Sequence, residues 1–426
     1  MNTNSMMKLR SKVSNIYIFL VGISVFPVLF FFIPYFSPKE IPIIVFWVIL
    51  EIVSDLRPVT ILKSGEITEI TTALAVQLAL IILSGPYKAT WIIVVATLLV
   101  EIYYRKPAHK CLFNAGQYGL SVLASGLLFE LLKASPKGVV LDVVKDLPAI
   151  FVAASVCFLL NMFFVSAVIS LTSGNKFVPV FTENLKTDIV YYYTLTPISV
   201  AASLLYRPDF PFTLLIMIPP LYAADQALRR YYSLQKETSD TLMALADTID
   251  KRDKYTYLHS ARVAEYAKKI AQKLQLSQEK VEKIETAGRV HDLGKIAIED
   301  TILRKHTGLT DEEYAVIKQH PELGYRLIKN LKPYEEVAKY ILYHHERLDG
   351  KGYPMGISGL EIPLGARILA VADSYDAMTS DRPYRTALPQ AAAVQELIKC
   401  SNFQFDPDVV AAFIKVLKED YGYVEE

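Results

Sequence analysis

The amino-acid sequence predicts an all-α protein, in which a multi-pass bundle of transmembrane helices precedes a second, all-helical domain. Long apolar stretches recur before residue 228 and stop after it. From there on, apolar residues recur at three- and four-residue spacings, as on one face of a helix. Alternating runs rich in β-branched residues, which would indicate strands, are few. The hydrophobic fraction of 52% and the positive mean hydropathy agree with a membrane part. The net charge of +1 says nothing about partners.

The membrane part is predicted from apolar windows. They cover roughly residues 15–36, 40–55, 69–84, 88–104, 112–133, 148–172, 188–206 and 210–228. A bilayer-spanning helix needs about 20 largely apolar residues, and four or five of these windows meet that length comfortably. The windows 40–55 and 69–84 are marginal, so the count lies between six and eight, and we favour eight. Small residues such as Gly116, Gly119 and Gly126 predict a surface on which helices pack closely.

The orientation follows from the basic residues that flank the spans. These are Lys8, Arg10 and Lys12 before the first window, the segment YYRKPAHK after the fourth, and Arg229, Arg230 and Lys236 after the last. With eight spans all three groups lie on the cytoplasmic side, as the positive-inside rule expects. The loop at 134–147, with Lys137 and Lys145, fits less well. Both termini are therefore predicted to be cytoplasmic.

The chain is predicted to consist of a membrane region at 1–228, a linker helix at 229–258 and a helical domain at 236–426. The linker abuts the last span, so it either transmits movement from the membrane or is a plain connector. Its apolar positions also allow a short two-helix contact, which predicts a homodimer through this helix. The three cysteines, Cys111, Cys157 and Cys400, are far apart and form no CxxC pair, so we expect neither a disulfide framework nor a thiolate metal site.

Histidines concentrate in the second domain, since six of the seven follow residue 258. Five of them stand in settings that suit a metal: His259, His291, His320, His344 and His345. A lone histidine on an apolar helix face is usually a core residue, but five in one helical domain favour a shared site. Asp292 follows His291 in GRVHDLGKI, and Asp373 interrupts the apolar run ARILAVADSYDAM, where an ionised carboxylate is costly unless it is paired or binds a cation. Imidazoles with carboxylates suit a pair of iron, manganese or zinc ions.

His259, the pair His291 and Asp292, and Asp373 resemble the H…HD…D pattern of the HD superfamily of metal-dependent phosphohydrolases. The segments HDLGKI, HHERLDGKGYP and VADSYDAMTSDRPYR, with His320 before Pro321, are similar to the HD-GYP subfamily, the bacterial phosphodiesterases of cyclic di-GMP. The resemblance covers roughly residues 236 to 420, in the same order and spacing. It implies an HD-GYP domain in the cytoplasm, anchored to the bacterial inner membrane by a multi-pass sensor region.

The resemblance also implies a ligand set for two divalent metal ions, iron or manganese ahead of zinc or nickel. The first ion would be held by His259, His291, Asp292 and Asp373. The second would be held by His320, His344 and His345, with Asp292 bridging the two. Some relatives bind a third metal through a glutamate four residues before the first histidine. This sequence has Tyr255 there, so we expect two metals.

The expected catalytic residues are Asp292 and Lys295. Two cations would activate a bridging water and neutralise charge on a phosphoryl group. Lys295, three residues after Asp292, is placed to reach a phosphate oxygen or to protonate the leaving alkoxide. The competing interpretation is an ordinary surface lysine.

The expected substrate-binding residues are Lys295, Arg382, Arg385, Lys351 and Tyr353. The arginines would offer forks to phosphate or guanine edges, as the family's substrate contacts do, but structural pairing with Asp376 or Asp381 is the competing interpretation. Lys351 and Tyr353, in the signature loop HHERLDGKGYP (residues 344–354), would contact substrate or a partner protein. Arg347 with Asp349 would pin this loop, and His306 is expected to be a surface residue.

The sequence therefore predicts a membrane-bound phosphodiesterase that converts cyclic di-GMP to linear pGpG, with further cleavage to GMP left open. The alternatives are a hydrolase of another cyclic dinucleotide or nucleotide, and a non-catalytic nucleotide-binding membrane receptor. Expected partners are the cyclic dinucleotide, membrane lipid, a second copy of the chain, and a diguanylate cyclase domain at the signature loop. No nucleic-acid polymer is expected. The membrane part is read as a sensory or anchoring bundle in preference to a transporter.

Overall fold

A computed structural model describes residues 3–31, 37–38, 40–56, 58–63, 66–135, 141–207, 210–252, 258–305, 308–381 and 386–423. Apart from one β-hairpin, the regular structure of these residues is helical, which confirms the predicted all-α class. The chain divides into two compact units, Met1–Ser233 and Leu234–Glu426.

The first unit consists of long helices and the hairpin. The helices are α1 (Thr3–Phe31), α2 (Ile41–Asp55), α3 (Ala73–Tyr103), α4 (Ala108–Leu132), α5 (Val143–Ser173) and α6 (Phe177–Leu205), followed by a 3-10 segment, Pro211–Met217. Strands β1 (Val59–Lys63) and β2 (Glu66–Ile70) pair antiparallel, with Val59 opposite Ile70. The sequence analysis did not predict this hairpin. Its strands are rich in β-branched residues, but each is only five residues long and too short to stand out beside the apolar windows.

Four helices in the described part of the chain are long and apolar enough to cross a membrane. They are Lys12–Phe31, Ala73–Tyr103, Ala108–Leu132 and Val143–Ser173. Helix α3 combines two of the predicted windows, 69–84 and 88–104, and is interrupted at Gly85 (φ 72°), just before Pro86. The count of eight spans stays a prediction.

Helix α4 carries the small-residue surface that the sequence predicts. A Cβ on Gly116 would lie 2.3 Å from the backbone oxygen of Val21 in α1, and a Cβ on Gly126 would lie 2.8 Å from Cα of Pro86 in α3. These glycines therefore allow helix backbones to approach closely. The cysteines are free, as expected, and Cys111 and Cys157 are buried.

The second unit begins within α7 (Ile218–Arg252), a helix that starts in the first unit. The other helices are α8 (His259–Lys273), α9 (Gln278–Val290), α10 (Asp300–Leu303), α11 (Asp311–Ile317), α12 (His320–Ile328), α13 (Glu335–Tyr343), α14 (Leu364–Thr379), α15 (Gln390–Lys399) and α16 (Pro407–Asp420). Short 3-10 segments lie at Leu293–Ala297, Lys332–Tyr334 and Gly359–Glu361. Several helices start at polar caps: Ser277 caps α9, and Asp406 caps α16.

One apolar core holds the second unit together. Val263 and Ala267 of α8, Ile341 of α13 and Leu369 of α14 are fully buried in it, as is Phe413 of α16. Residues of α7 also belong to this core. Burial of each large apolar side chain contributes about 1.5–3 kcal/mol of transfer free energy. This burial holds the helices against one another. The ends of these helices are thereby held where polar residues can meet.

Candidate metal centre

Six of the seven predicted metal ligands lie at helix ends, and the seventh lies inside a helix. His259 is the first residue of α8, and His320 is the first residue of α12. His291 and Asp292 directly follow α9, and His344 and His345 directly follow α13. Asp373 lies inside α14. At the end of a helix a side chain is free of the next turn and can point away from the helix.

Three of these residues form a first cluster, His259, His291 and Asp373, whose ligating atoms all lie within 4.8 Å of one another. Nε2 of His259 is 3.2 Å from Oδ1 of Asp373, and Nε2 of His291 is 4.0 Å from the same oxygen. Both histidines are almost fully buried. The first cluster therefore combines two imidazoles with one carboxylate.

A second cluster consists of His320, His344 and His345, again with ligating atoms within 4.8 Å of one another. Nε2 of His320 lies 3.4 Å from Nε2 of His344. His320 and His344 are each 1% exposed, whereas His345 is half-buried. This cluster contains imidazoles alone.

Asp292 lies between the two clusters. Its Oδ1 is 3.3 Å from Nε2 of His320 in the second cluster. Its Oδ2 is 3.4 Å from Nε2 of His291 and 3.9 Å from Nε2 of His259 in the first. The two oxygens of one carboxylate thus face different groups of imidazoles.

Local hydrogen bonds orient three of the rings. Nδ1 of His291 lies 2.9 Å from the carbonyl oxygen of Gly288, that of His320 lies 2.7 Å from Ile317, and that of His344 lies 2.6 Å from Ile341. A carbonyl oxygen only accepts, so Nδ1 carries the proton. In the neutral ring the lone pair is then on Nε2, the atom that faces the clusters.

The charges differ between the clusters. Burial would raise the pKa values of Asp292 and Asp373, but neighbouring cationic groups lower both well below the usual range: Lys295 with the histidines for Asp292, and His259 foremost for Asp373. Burial lowers the pKa of His320 to about 3 and that of His345 to about 4, and it also lowers the pKa of His344. The second cluster is therefore made of neutral imidazoles, which are the form that ligates metals.

His259 differs from His291, His320 and His344 because a carboxylate, not a backbone carbonyl, contacts its Nδ1. Its Nδ1 lies 2.7 Å from Oδ2 of Asp376, which is 1% exposed and also accepts hydrogen bonds from Arg262 at 2.5 and 2.9 Å. Burial lowers the pKa of His259, but hydrogen bonds to Asp373 and Asp376 outweigh it and raise the pKa to about 10. A carboxylate behind a histidine is the usual way of orienting a metal ligand and raising its basicity.

Asp376 is the site residue that sequence reasoning missed, since it appeared there only as a competing partner for the arginines. It lies three residues after Asp373 and therefore on the same face of α14, and this spacing was the available signal.

The donor set fits divalent transition metals. It offers five imidazoles and two carboxylates without a thiolate, and the ligating atoms within each cluster lie within 4.8 Å of one another. A bound cation would satisfy these buried acceptors together.

Lys295 lies next to Asp292. Its Nζ is 2.7 Å from Oδ2 of Asp292, and its side chain is 17% exposed. The sequence analysis placed it near a phosphate oxygen or a leaving group, and the structure puts its ammonium at the edge of the clusters. It is not a free surface lysine.

The signature loop stands beside the second cluster. The ring of Tyr353 lies 4.8 Å from that of His345, at 30°, and Lys318 lies over Tyr353 at 5.6 Å. Lys351 is exposed. The predicted arginines Arg382 and Arg385, like Tyr255 and His306, lie outside the described residues.

The loop is held by its own chain. Oε1 of Glu346, which is 3% exposed, accepts hydrogen bonds from the backbone of Met355 and Gly356 at 2.6 and 3.0 Å. A Cβ on Gly352 would lie 2.5 Å from Cα of Glu346, so glycine is needed there for the loop to fold back on itself.

A second set of contacts ties the loop to a neighbouring turn. Arg347 pairs with Asp349 and also donates to the side chain of Gln404 at 2.7 Å, which agrees with a pinning role for these residues.

Both parts of the chain are similar to known families. A family model described as HD domain matches residues 243–409, and the MASE9 model matches residues 7–230, just over half of the chain. HD-domain phosphohydrolases are metal-dependent, in agreement with the clusters. The MASE9 match, together with the four apolar helices, makes this a membrane protein.

Relatives match the second unit. The chain is 39% identical over 198 residues to a cyclic di-GMP phosphodiesterase of Thermotoga maritima, covering 46% of this chain and 53% of the relative. It is 42% identical over 184 residues to the cyclic di-GMP phosphodiesterase response regulator RpfG of Xanthomonas campestris pv. campestris, covering 43% and 49%. It is 35% identical over 174 residues to the 3'3'-cGAMP-specific phosphodiesterase 3 of Vibrio cholerae, covering 41% and 38%.

The chain thus spans about half, or less, of the length of these relatives. The chain belongs to the MASE9 family, whose model covers more than half of it, and its residues 243–409 match the HD-domain family model.

Proposed function

We propose that the second unit hydrolyses a phosphodiester bond of cyclic di-GMP and produces linear pGpG, with further cleavage to GMP left open. The observation that carries this proposal is the position of Asp292, whose Oδ1 lies 3.3 Å from Nε2 of His320 and whose Oδ2 lies 3.4 Å from Nε2 of His291. This arrangement suits two ions bridged by one carboxylate. The printed activities of the first two relatives support the choice of substrate.

The proposed ligands divide as the sequence suggests: His259, His291 and Asp373 for one ion, His320, His344 and His345 for the other, and Asp292 for both. Two divalent ions held there would activate a shared water for attack on phosphorus and would neutralise charge on the phosphoryl oxygens. The chain's own residues hold the imidazoles in the ligating tautomer and place Lys295 beside Asp292.

Lys295 is the proposed electrostatic and acidic group. Its ammonium, 2.7 Å from Asp292, lies close enough to the clusters to stabilise charge on a phosphate oxygen or to donate a proton to the leaving oxygen. Lys351, Tyr353, Arg382 and Arg385 remain proposed contacts to the phosphates and guanines. Support for Tyr353 comes from its ring contact with His345.

The function is tested with the full-length protein in lipid nanodiscs, loaded anaerobically with iron or with manganese, the two proposed metals. The reaction products of cyclic di-GMP are separated by chromatography, and bound metal is counted on the same samples. Formation of pGpG with about two metals per chain supports the proposal. Two bound metals without turnover of any nucleotide would instead favour the non-catalytic receptor, and failure to bind metal would overturn the ligand set.

A second candidate substrate is a hybrid cyclic dinucleotide. One relative, 35% identical, is a 3'3'-cGAMP-specific phosphodiesterase. Parallel assays with cyclic di-GMP and 3'3'-cGAMP at equal concentrations decide between them, because the preferred substrate has the larger kcat/KM. A preference for 3'3'-cGAMP would replace the first substrate while leaving the metal chemistry unchanged.

We propose that the protein resides in the bacterial inner membrane with its second unit in the cytoplasm. The basic residues at the ends of the spans support this orientation. Single cysteines introduced at exposed positions such as Asp240 and Lys351 should be labelled by a membrane-impermeant maleimide only after cells are opened. Labelling of intact spheroplasts would contradict the orientation.

Three partner proposals accompany this one. Lipid surrounds the four apolar helices, a second copy pairs through residues 229–258, and a diguanylate cyclase domain docks on the signature loop. Exposed Tyr231, Leu234 and Leu245 on α7 support the pairing, and exposed Met355 and Leu360 support the docking. Crosslinking at position 234 in nanodiscs tests the pairing of two copies, and finding only monomers would contradict it. Binding of a diguanylate cyclase domain to a Leu360→Asp protein tests the docking, and unchanged binding would contradict it.

A further inference from the structure

The C-terminal end of α7 is fixed firmly in the second unit. Leu242, Ala246 and Ile249 of this helix are at most 6% exposed and pack in the same core as Val263 and Ala267 of α8. Residues at these spacings share one face of the helix. Polar residues beside that face are therefore held in place, and three of them contact segments that carry metal ligands or Lys295.

The first contact joins α7 to the start of α8. Asp250 and Ser260 are 4% and 1% exposed. Oδ1 of Asp250 accepts a hydrogen bond from the hydroxyl of Ser260 at 2.7 Å, and Oδ2 accepts one from its backbone nitrogen at 3.2 Å. Ser260 directly follows His259, so the carboxylate holds the first turn of α8 at the residue next to a ligand. A carboxylate at a helix N-terminus is favourable for the backbone amides there.

Two further contacts reach the segments before and after His291 and Asp292. Asp247 accepts a hydrogen bond from Arg289 at 2.5 Å, and Arg289 lies two residues before His291. Arg252 donates to the carbonyl oxygens of Ile296 and Ile298 at 3.2 and 2.7 Å, and also pairs with Asp300. These carbonyls follow Lys295. Within the last two turns of α7, three side chains thus hold three segments of the centre.

We infer that the end of α7 is a positioning element of the metal centre, in which Asp250 sets the position of His259 through Ser260. None of these α7 residues is a proposed ligand, so they act through the backbone of the ligands. The inference rests on the proposed function in that it assigns the ligands of the first cluster.

The test uses full-length protein in nanodiscs and manganese as the probe, with free Mn²⁺ followed by electron paramagnetic resonance. Asp250→Ala should weaken manganese binding at one of two sites by about ten-fold, as expected when a group that orients a ligand is removed. The kcat for cyclic di-GMP should fall while KM changes little, because Asp250 touches no substrate. Ser260→Ala, a milder change, should act in the same direction and should add little to Asp250→Ala.

The matched control is Asp240→Ala, the same substitution at an exposed position ten residues earlier on α7. Equal manganese affinity and kcat in Asp250→Ala and Asp240→Ala would overturn the inference. So would a loss of binding that only follows the loss of folded protein in thermal unfolding, with normal affinity in the folded fraction. If the wild type loads manganese but cleaves no cyclic di-GMP, the proposed function fails, and the manganese affinities still decide this inference.

Discussion

The first and second clusters lie on either side of Asp292 and are built differently. The first contains Asp373 and is backed by a further carboxylate, Asp376, behind His259. The second contains only imidazoles, two of which are oriented by backbone carbonyls. The pKa values reflect this difference: that of His259 is raised to about 10, whereas burial lowers that of His345 to about 4.

The comparison indicates that the two sites attract cations unequally. The first cluster contains the carboxylate of Asp373, so a cation that replaces the proton on His259 gains Coulomb energy there in a buried setting. The second cluster supplies lone pairs and contains no carboxylate of its own; a carboxylate oxygen of Asp292 lies 3.3 Å from its His320. We therefore expect the ion at the first cluster to be bound more tightly than the ion at the second.

The largest effect should come from the residue that both clusters share. Asp292→Ala removes the carboxylate between them, and turnover should fall on the order of 10³-fold or more because both ions lose a ligand. Metal counting should show the second ion lost before the first. Retention of both ions and of wild-type turnover would break the description of Asp292 as the shared group.

A smaller and one-sided effect is expected at Asp376. Asp376→Asn removes the charge behind His259 but keeps a hydrogen-bond acceptor, so the affinity of the first cluster should fall roughly ten-fold. The measurement is a manganese titration in a His320→Ala background, in which the second cluster is disabled. Asp240→Asn serves as the control. An unchanged affinity would show that the charge of Asp376 does not distinguish the clusters.

The smallest effect is expected beside the second cluster, at Glu346. Glu346→Ala leaves the amides of Met355 and Gly356 without their acceptor, at a cost of about 1.5–3 kcal/mol in stability. The thermal midpoint should fall and KM should rise, since the loop carries Tyr353, while metal content stays the same. Glu346→Gln, which keeps the acceptor oxygen, should recover most of both. A loss of the second ion in Glu346→Ala would mean that the loop itself supports that site.

Much of the centre was predictable from the sequence because its members are distinctive. Five histidines and two aspartates, in five groups about one helix apart, indicate a shared metal site, and the structure brings all seven together. Lys295 was singled out by its place in HDLGKI, but its contact with Asp292 was not foreseen. The hairpin of β1 and β2 was missed because two five-residue strands leave little periodic signal beside long apolar helices.

The sequence by itself determined which donors are present and how three of them are oriented. His291, His320 and His344 each bond the carbonyl oxygen three residues earlier, in the last turn of the preceding helix, so these contacts are local in sequence. Only the tertiary structure decided the contacts between distant residues: Asp376 with His259, 117 positions apart, Asp292 between the clusters, and the end of α7 beside the segments that carry His259, His291 and Lys295. Such contacts depend on how the helices pack around a common core, and no local pattern encodes that packing.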